Sequence, residues 1–424
     1  MGEAAAPAGR WPRRLWVVGM SFAAVFVCYV DRVNISVAII PMAEDLGWDL
    51  ETQGRVLSAF FVGYLLLQIV GGRLADRFGG KIVLGAGVLL WSLFTILTPP
   101  AALSGLLLLI LVRIAMGMGE AVTFPSIYSI YGRWIPLGER GRAVALVNSG
   151  IPMGTVFALL VTPLVVEALG WQWAFYLFGA LGILWYAIWH FGMTTDPADH
   201  PRVAPAELAT IRAGAASGDA PALPWRRTLT LLPVWAIVVA HFCNNWSLYV
   251  LLAWLPTFVN KGLGVDYAAI GLFAMVPNLV SFAMLNVAGN VADRMIRSGM
   301  PVLRVRRICM AIGGTGLGGA LLVVGEVTTA WMAILIMSLG TGLGSFVTGG
   351  FAVNHMDIAP RHAGTLMGLT NTAGTIPGII GVSASGMILQ ATGSWALVFQ
   401  VAAAVTVFGM LFFIAFGRAE RLID

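Results

Sequence analysis

The chain has 424 residues, 58% hydrophobic and 11% charged, against about 25% charged in a soluble domain, which excludes water as the solvent for most of it. The formal net charge of +5 would suit nucleic acid or anionic lipid, so the placement of the basic residues has to decide between them. Cys28, Cys243 and Cys309 lie far apart inside apolar runs, which excludes a disulfide framework or a CxxC metal site and leaves three small buried apolar residues.

Residues 1–14 form a short Ala-rich basic tail without a clear small-residue cleavage site, so the first helix is expected to remain uncleaved. Apolar runs of about 20 residues or more, enough to cross a bilayer, follow at 15–42, 54–76, 81–98, 103–131, 142–167, 171–192, 229–259, 267–296, 306–325, 329–356, 362–391 and 395–416. Threading these twelve with the N-terminus in the cytoplasm puts 21 of the 25 Lys and Arg on that side. The opposite orientation would invert the positive-inside bias, so the basic charge reports topology rather than a nucleic-acid surface.

Predicted helix 1 carries Asp31 and Arg32 in C-Y-V-D-R-V-N-I-S, and helix 4 carries Arg113 and Glu120 in V-R-I-A-M-G-M-G-E-A. A charge at the bilayer centre costs at least about 2.5–3.5 kcal/mol, so such groups face a partner or a cavity. Arg113 and Glu120 are two turns apart on one helix face, about 10 Å along the axis, too far for a direct pair but suited to two ends of one pocket. Protonating both acids leaves two guanidinium groups that a small carboxylate satisfies through bidentate hydrogen bonds. Anion and proton then favour each other's binding, which is the thermodynamic content of symport. Arg32 and Arg113 are therefore expected to bind the anion, and Glu120 and Asp31 to carry protons. The bland alternative is static pairing of each acid with one arginine, holding helices 1 and 4 together.

Phe60, Phe61 and Tyr64 on helix 2 and Trp246 and Tyr249 on helix 7 are candidate pocket walls, with Asn371 and Thr372 on helix 11 as further ligands. His241 reads as a satisfied core histidine, and Gly117 and Gly119 as residues permitting close helix packing. The polar stretch 194–228, with five prolines from Pro197 to Pro224, reads as a cytoplasmic linker between six helices at 15–193 and six at 229–416; residues 417–424 form a cytoplasmic tail. Two internal repeats support two related halves. Gly72 to Phe78 recurs as Gly289 to Met295, 217 residues on, and Asn148-Ser149-Gly150 recurs as Asn371 to Gly374, 223 residues on. Gly72, Asp76 and Arg77, with Asp293 and Arg294 in the second copy, can latch helix ends in one conformation and release them in another.

The G-x-x-x-D-R-x-G-x-K loop after helix 2 resembles the signature of the major facilitator superfamily, which implies an all-α polytopic fold of twelve transmembrane helices in two pseudo-symmetric halves. The whole chain resembles its anion:cation symporter family, to which sialin, the vesicular glutamate transporters and bacterial galactonate and hexuronate symporters belong. The segments that carry this are G-E-A-V-T-F-P from Gly119, W-I-P-L-G-E-R from Trp134, A-H-F-C-N-N-W-S-L-Y from Ala240, G-F-A-V-N-H-M-D-I-A-P from Gly350 and G-L-T-N-T-A-G-T-I-P-G from Gly368. The resemblance implies that Arg32 and Arg113 engage the substrate carboxylate and that Glu120 serves proton coupling. The pair Asp31-Arg32 is similar to that of the galactonate symporters, where the Asp is also proton-linked. Vesicular glutamate transporters carry Arg and His where this chain has Asn244 and Leu57, so glutamate is disfavoured.

The expectation is a secondary active transporter that moves an organic anion, a sugar acid such as sialate, glucuronate or galactonate, together with protons. An anion exchanger or exporter using the same pocket is the near rival. A membrane enzyme or sensor is remote, because no nucleophile with a base and no metal-ligand spacing is visible. Expected partners are the anion, protons and the lipid bilayer, without cofactor, metal or nucleic acid, and the chain is expected to be monomeric. The short acidic loop 43–53 and the sequons at Asn34 and Asn245, which fall inside helices and should stay unmodified, favour a bacterial inner membrane with both termini cytoplasmic.

Overall fold

A computed structural model describes residues 12–213, 224–360 and 362–423. Eleven helices are long and apolar enough to cross a membrane: α1 Arg13–Leu46, α3 Gly80–Ser104, α4 Leu106–Trp134, α5 Arg142–Leu169, α6 Trp171–Gly192, α7 Leu232–Gly262, α8 Tyr267–Arg297, α9 Val302–Val324, α10 Ala330–Ile358, α11 Thr365–Thr392 and α12 Trp395–Phe416. A twelfth long helix, α2 Leu50–Phe78, holds an uncharged stretch from Val56 to Gly72, about 25 Å of helix at 1.5 Å per residue. Large apolar side chains such as Leu107, Leu164, Phe191 and Trp331 lie exposed on the outside, as a lipid-facing surface requires. The expected spans agree with these helices to within six residues at each end, and 171–192 and 395–416 coincide at both ends.

Glycine sets the tightest joints. Gly105, between α3 and α4, has φ 147°, a conformation that costs a residue with a Cβ far more than it costs glycine. Along the α2–α4 seam a Cβ on Gly117 would lie 2.0 Å from the Phe60 carbonyl oxygen, and one on Gly63 1.8 Å from that of Ile114. The two backbones touch, so the small residues are there for packing, as expected of Gly117.

Between the halves, α2 packs along α11, α5 along α8, and α1 beside α7. Hydrogen bonds knit these seams toward the face away from the termini. Leu50 N donates to Gln390 Oε1 (3.1 Å), Tyr267 Oη to the Val37 carbonyl (3.2 Å) and Ser383 Oγ to Ser58 Oγ (2.7 Å), and Lys261 pairs with Glu44. Thr375 Oγ1 donating to Gln68 Oε1 (3.0 Å) extends the α2–α11 seam inward.

On the termini face two ion-paired arginines bind within their own half or to the connecting segment. Arg14 holds Glu139 (2.8 Å) and Glu207 (3.3 Å), the latter in a helix Pro205–Ala213 of the segment joining the halves. Arg306 holds Asp357 bidentately, at 2.8 and 3.1 Å. Asp293 and Arg294 are exposed at the end of α8 and form no ion pair among the described residues, and Arg77 lies over the Phe78 ring at 5.3 Å. The Asp76 side chain, residues 1–11 of the tail, 214–223 of the linker, and Arg361 and Asp424 fall outside the described residues.

Both fourth helices are broken. In the first half, α4 comprises Leu106–Ala121 and Thr123–Trp134, interrupted at Val122 just after Glu120. In the second, α10 runs Ala330–Gly344, a 3-10 turn Ser345–Gly349, then Phe351–Ile358. An offset of 224 residues carries both ends of α4 onto both ends of α10, close to the repeat spacings read from the sequence. Irregular backbone at membrane depth is tolerated where it is buried in protein or lines a cavity.

Candidate functional site

Cys28, Tyr29 and Arg32 occupy about one turn of α1, and Glu120 meets them from the break in α4. Arg32 donates from Nη2 (2.8 Å) and Nε (3.1 Å) to Glu120 Oε2, and the Cys28 thiol lies 3.2 Å from the same oxygen. Glu120 Oε1 has no partner. The Arg32 guanidinium is caged by aromatic faces, with Tyr29 at 4.8 Å and Phe60 and Tyr64 at 5.0 Å. Cation–π contact of this kind holds a desolvated cation in place while leaving donor nitrogens for an anion.

The other two charges are arranged differently. Arg113 is 2% exposed, lies 5.4 Å from the Phe60 ring, and directs Nη1 to Met116 Sδ at 3.1 Å. Among the described residues it makes no ion pair, and its Nε lacks a partner. Asp31, 1% exposed, has no hydrogen bond to either oxygen, and its electrostatic neighbours are Glu120, Trp91 and Arg113. Static pairing is thus present for Arg32 and Glu120 and absent for Asp31 and Arg113.

Two cavities meet at Arg32. The larger, about 360 Å³, lies between the halves, walled by α1, α5, α7, α8 and α10. The smaller, about 20 Å³, is lined by Arg32, Arg113, Phe60, Phe61, Leu57 and Tyr249, room for roughly one water. Both arginines therefore border one void, and Arg32 with Tyr249 connects it to the main cavity. Since the seams knit on the face away from the termini, the main cavity belongs to a state sealed on that side.

Of the residues expected at the site, Arg32, Arg113, Phe60, Phe61 and Tyr249 line these cavities, and Tyr64 stacks on Arg32. Trp246 lies outside both linings and packs on Gly381 of α11. Asn371 and Thr372 also lie outside them, with Thr372 Oγ1 donating to the Gly368 carbonyl (2.8 Å). His241 is buried, its Nδ1 3.2 Å from Thr370 Oγ1, which also meets His355 Nε2 at 2.8 Å. The sequence reading did not single out Tyr29 or the α8 and α10 walls with Asn278, Ser281, Thr341 and Ser345. It took Cys28 as apolar filler, although the i, i+4 spacing from Arg32 could have signalled a shared face.

Residues 21–382 match the Major Facilitator Superfamily. A probable chloroplast anion transporter of Oryza sativa subsp. japonica is 41% identical over 416 residues, covering 98% of this chain and 70% of that protein. The chloroplast ascorbate transporter of Arabidopsis thaliana is 41% identical, with 98% and 77% covered, and sialin of Homo sapiens 35% identical, with 95% and 88% covered. Among solved structures, an inward-facing, occupied bacterial homologue of the human lysosomal transporter Spinster superposes with TM-score 0.75 at 17% identity, over 96% of this chain and 97% of that one. A D-xylose-proton symporter gives 0.72 at 14%, over 96% and 98%. The twelve helices in two six-helix halves are thus the fold of these transporters, and the chain is a membrane transporter of the Major Facilitator Superfamily related to sialin and the chloroplast anion transporters.

Proposed function

We propose that the chain is a symporter that carries an organic carboxylate, a sugar acid in the first instance, together with protons by alternating access. The observation that carries this reading is the buried Arg32–Glu120 pair, whose arginine borders both cavities. The guanidinium presents two donors to Glu120 Oε2, the same fork that a substrate carboxylate would take. Substrate and Glu120 compete for one cation. A proton on Glu120 weakens its hold, releases Arg32 to the anion and enlarges the one-water void toward Arg113. Proton and anion thereby raise each other's affinity by the same factor, and an empty carrier resets with the pair reformed.

The similar proteins named as anion, ascorbate and sialin transporters support an anionic cargo. Asn244 and Leu57, neutral residues in the two cavity linings, support a cargo with one carboxylate. On this reading Asp31 holds a second proton, and Asp76, Arg77, Asp293 and Arg294 latch the halves when the termini face closes. The basic termini face is cytoplasmic, the present state opens inward, and a bacterial inner membrane houses a monomer.

Proteoliposomes holding the purified protein test it. An inward proton gradient should drive accumulation of a sugar acid, and counterflow should persist without the gradient. Accumulation indifferent to the gradient would leave an exchanger.

A further inference from the structure

We infer that Cys28 is the positioning residue of the coupling acid: its thiol fixes Glu120 Oε2, so that the proton enters on Oε1 and the carboxyl keeps its aim while Arg32 turns to the anion. This deepens the symport reading and rests on it. Cys28 is buried and stands one turn before Arg32 on the same face of α1. Its Sγ is 3.2 Å from Glu120 Oε2 and 3.9 Å from Arg32 Nη2. Cys243 and Cys309 differ, packing on Gly409 of α12 and Gly349 of α10.

Three donors converge on one oxygen. Arg32 Nη2 and Nε (2.8 and 3.1 Å) and the Cys28 thiol all meet Oε2, while Oε1 has no partner among the described residues. A carboxylate oxygen offers about two lone-pair sites. Those of Oε2 are filled, so an arriving proton finds its lone pair on Oε1. The acid formed there keeps Oε2 as a carbonyl oxygen. When Arg32 leaves it for the substrate, the thiol is the donor already in place to hold it. A weak donor suits that task. A second cation at this position would hold the carboxylate ionised, and an apolar side chain would leave a buried oxygen unpaired once Arg32 departs.

The other groups that act on Glu120 are Asp31 and Arg32 from α1, Arg113 from α4 itself and Tyr64 from α2. On α3 the backbones of Gly87 and Trp91 abut Gly119, and no titratable residue lies in that stretch. The thiol is neutral, so removing it alters one hydrogen bond to the carboxylate and leaves the balance of the four charges as it was.

The test is the pH profile of sugar-acid uptake into proteoliposomes for the wild type, Cys28→Ala, Cys28→Ser and Cys243→Ala. A donor to the ionised carboxylate favours that form, so without it Glu120 takes its proton at higher pH. The alkaline limb of the Cys28→Ala profile should therefore move up by about half a pH unit, about threefold in proton concentration. Cys28→Ser keeps a donor and should return the limb to its wild-type place, and Cys243→Ala, the same truncation away from Glu120, should leave it there. Difference infrared spectra on acidification read the contact itself. The S–H stretch lost in Cys28→Ala should shift in the wild type as Glu120 is protonated, and that shift should vanish in Glu120→Gln. A Cys28→Ala profile superimposed on the wild type, or an S–H band indifferent to Glu120, overturns the inference while symport stands. If wild-type uptake ignores pH altogether, the symport reading fails and this inference with it.

Discussion

The broken helices α4 and α10 occupy equivalent places in the two halves, yet before its break α4 carries buried charge and α10 carries none. In α4, Arg113 and Glu120 flank two turns that end at a break, and Glu120 is held by Arg32 of α1. In α10 the equivalent turns carry Met337 and Gly344, and the break is stitched by serine and threonine hydroxyls bonded to nearby carbonyls. The two breaks share a place in the fold, and only the one in α4 follows directly on buried charge. On the reading proposed above, the four charges that α1 and α4 bury would let a proton and an anion act on one cation, and the turns of α10 before its break could vary without touching them.

The largest effect should follow from removing that cation. Arg32→Ala deletes the carboxylate fork and leaves Glu120 buried without its partner, an arrangement that costs about 3–5 kcal/mol. Uptake should fall by at least about a hundredfold, since two charge-assisted hydrogen bonds at about 1.5–3 kcal/mol each are lost. Initial uptake rates at matched protein levels measure it, and rates within tenfold of wild type would remove Arg32 from the anion site. Glu120→Gln should act on coupling instead. Arg32 then lacks its competing anion, so counterflow should continue while accumulation under an inward proton gradient falls to what the Asp31 proton alone can drive. Accumulation as steep as in the wild type would take the proton off Glu120.

The first half of this contrast could be read from the sequence and the second could not. Charges are so costly in lipid that Asp31, Arg32, Arg113 and Glu120 announce themselves, and twelve apolar spans follow from bilayer thickness alone. The pairing of Arg32 with Glu120 rather than with its sequence neighbour Asp31 depends on helix rotation, which periodicity in a wholly apolar helix does not reveal. Neutral wall residues such as Ser345 and Asn278 have no insertion cost large enough to mark them, and small residues occur throughout membrane helices. Trp246 illustrates the converse: a large aromatic on the expected helix faces α11 rather than the cavity.

A packing difference accompanies the chemical one. Gly117 in α4 corresponds by the same offset to Thr341 in α10, so a β-branched residue is accommodated in one half where the other allows no Cβ beside the Phe60 carbonyl. Gly117→Val should therefore destabilise the protein by about 1–3 kcal/mol, the usual cost of overpacking, lowering its thermal midpoint in detergent. An unchanged midpoint would mean that α2 and α4 separate more easily than their backbone contact implies.

The smallest expected effect on binding, and the one that most sharpens the division within the first half, belongs to Asp31. Its two oxygens have no hydrogen bond among the described residues, and Arg113, whose charge acts on it, forms no ion pair among them. Asp31→Asn keeps the shape and removes a carboxylate that no partner compensates, so stability should hold or rise slightly. Half-maximal substrate concentration should stay within about threefold, because Arg32, the fork on the cargo, is untouched in its bond to Glu120. The change should appear in stoichiometry, with one fewer proton per anion and a correspondingly shallower dependence of accumulation on the pH difference. Reversal potentials in proteoliposomes read that ratio directly, and an unaltered ratio would make Asp31 a structural charge and leave Glu120 as the single coupling acid.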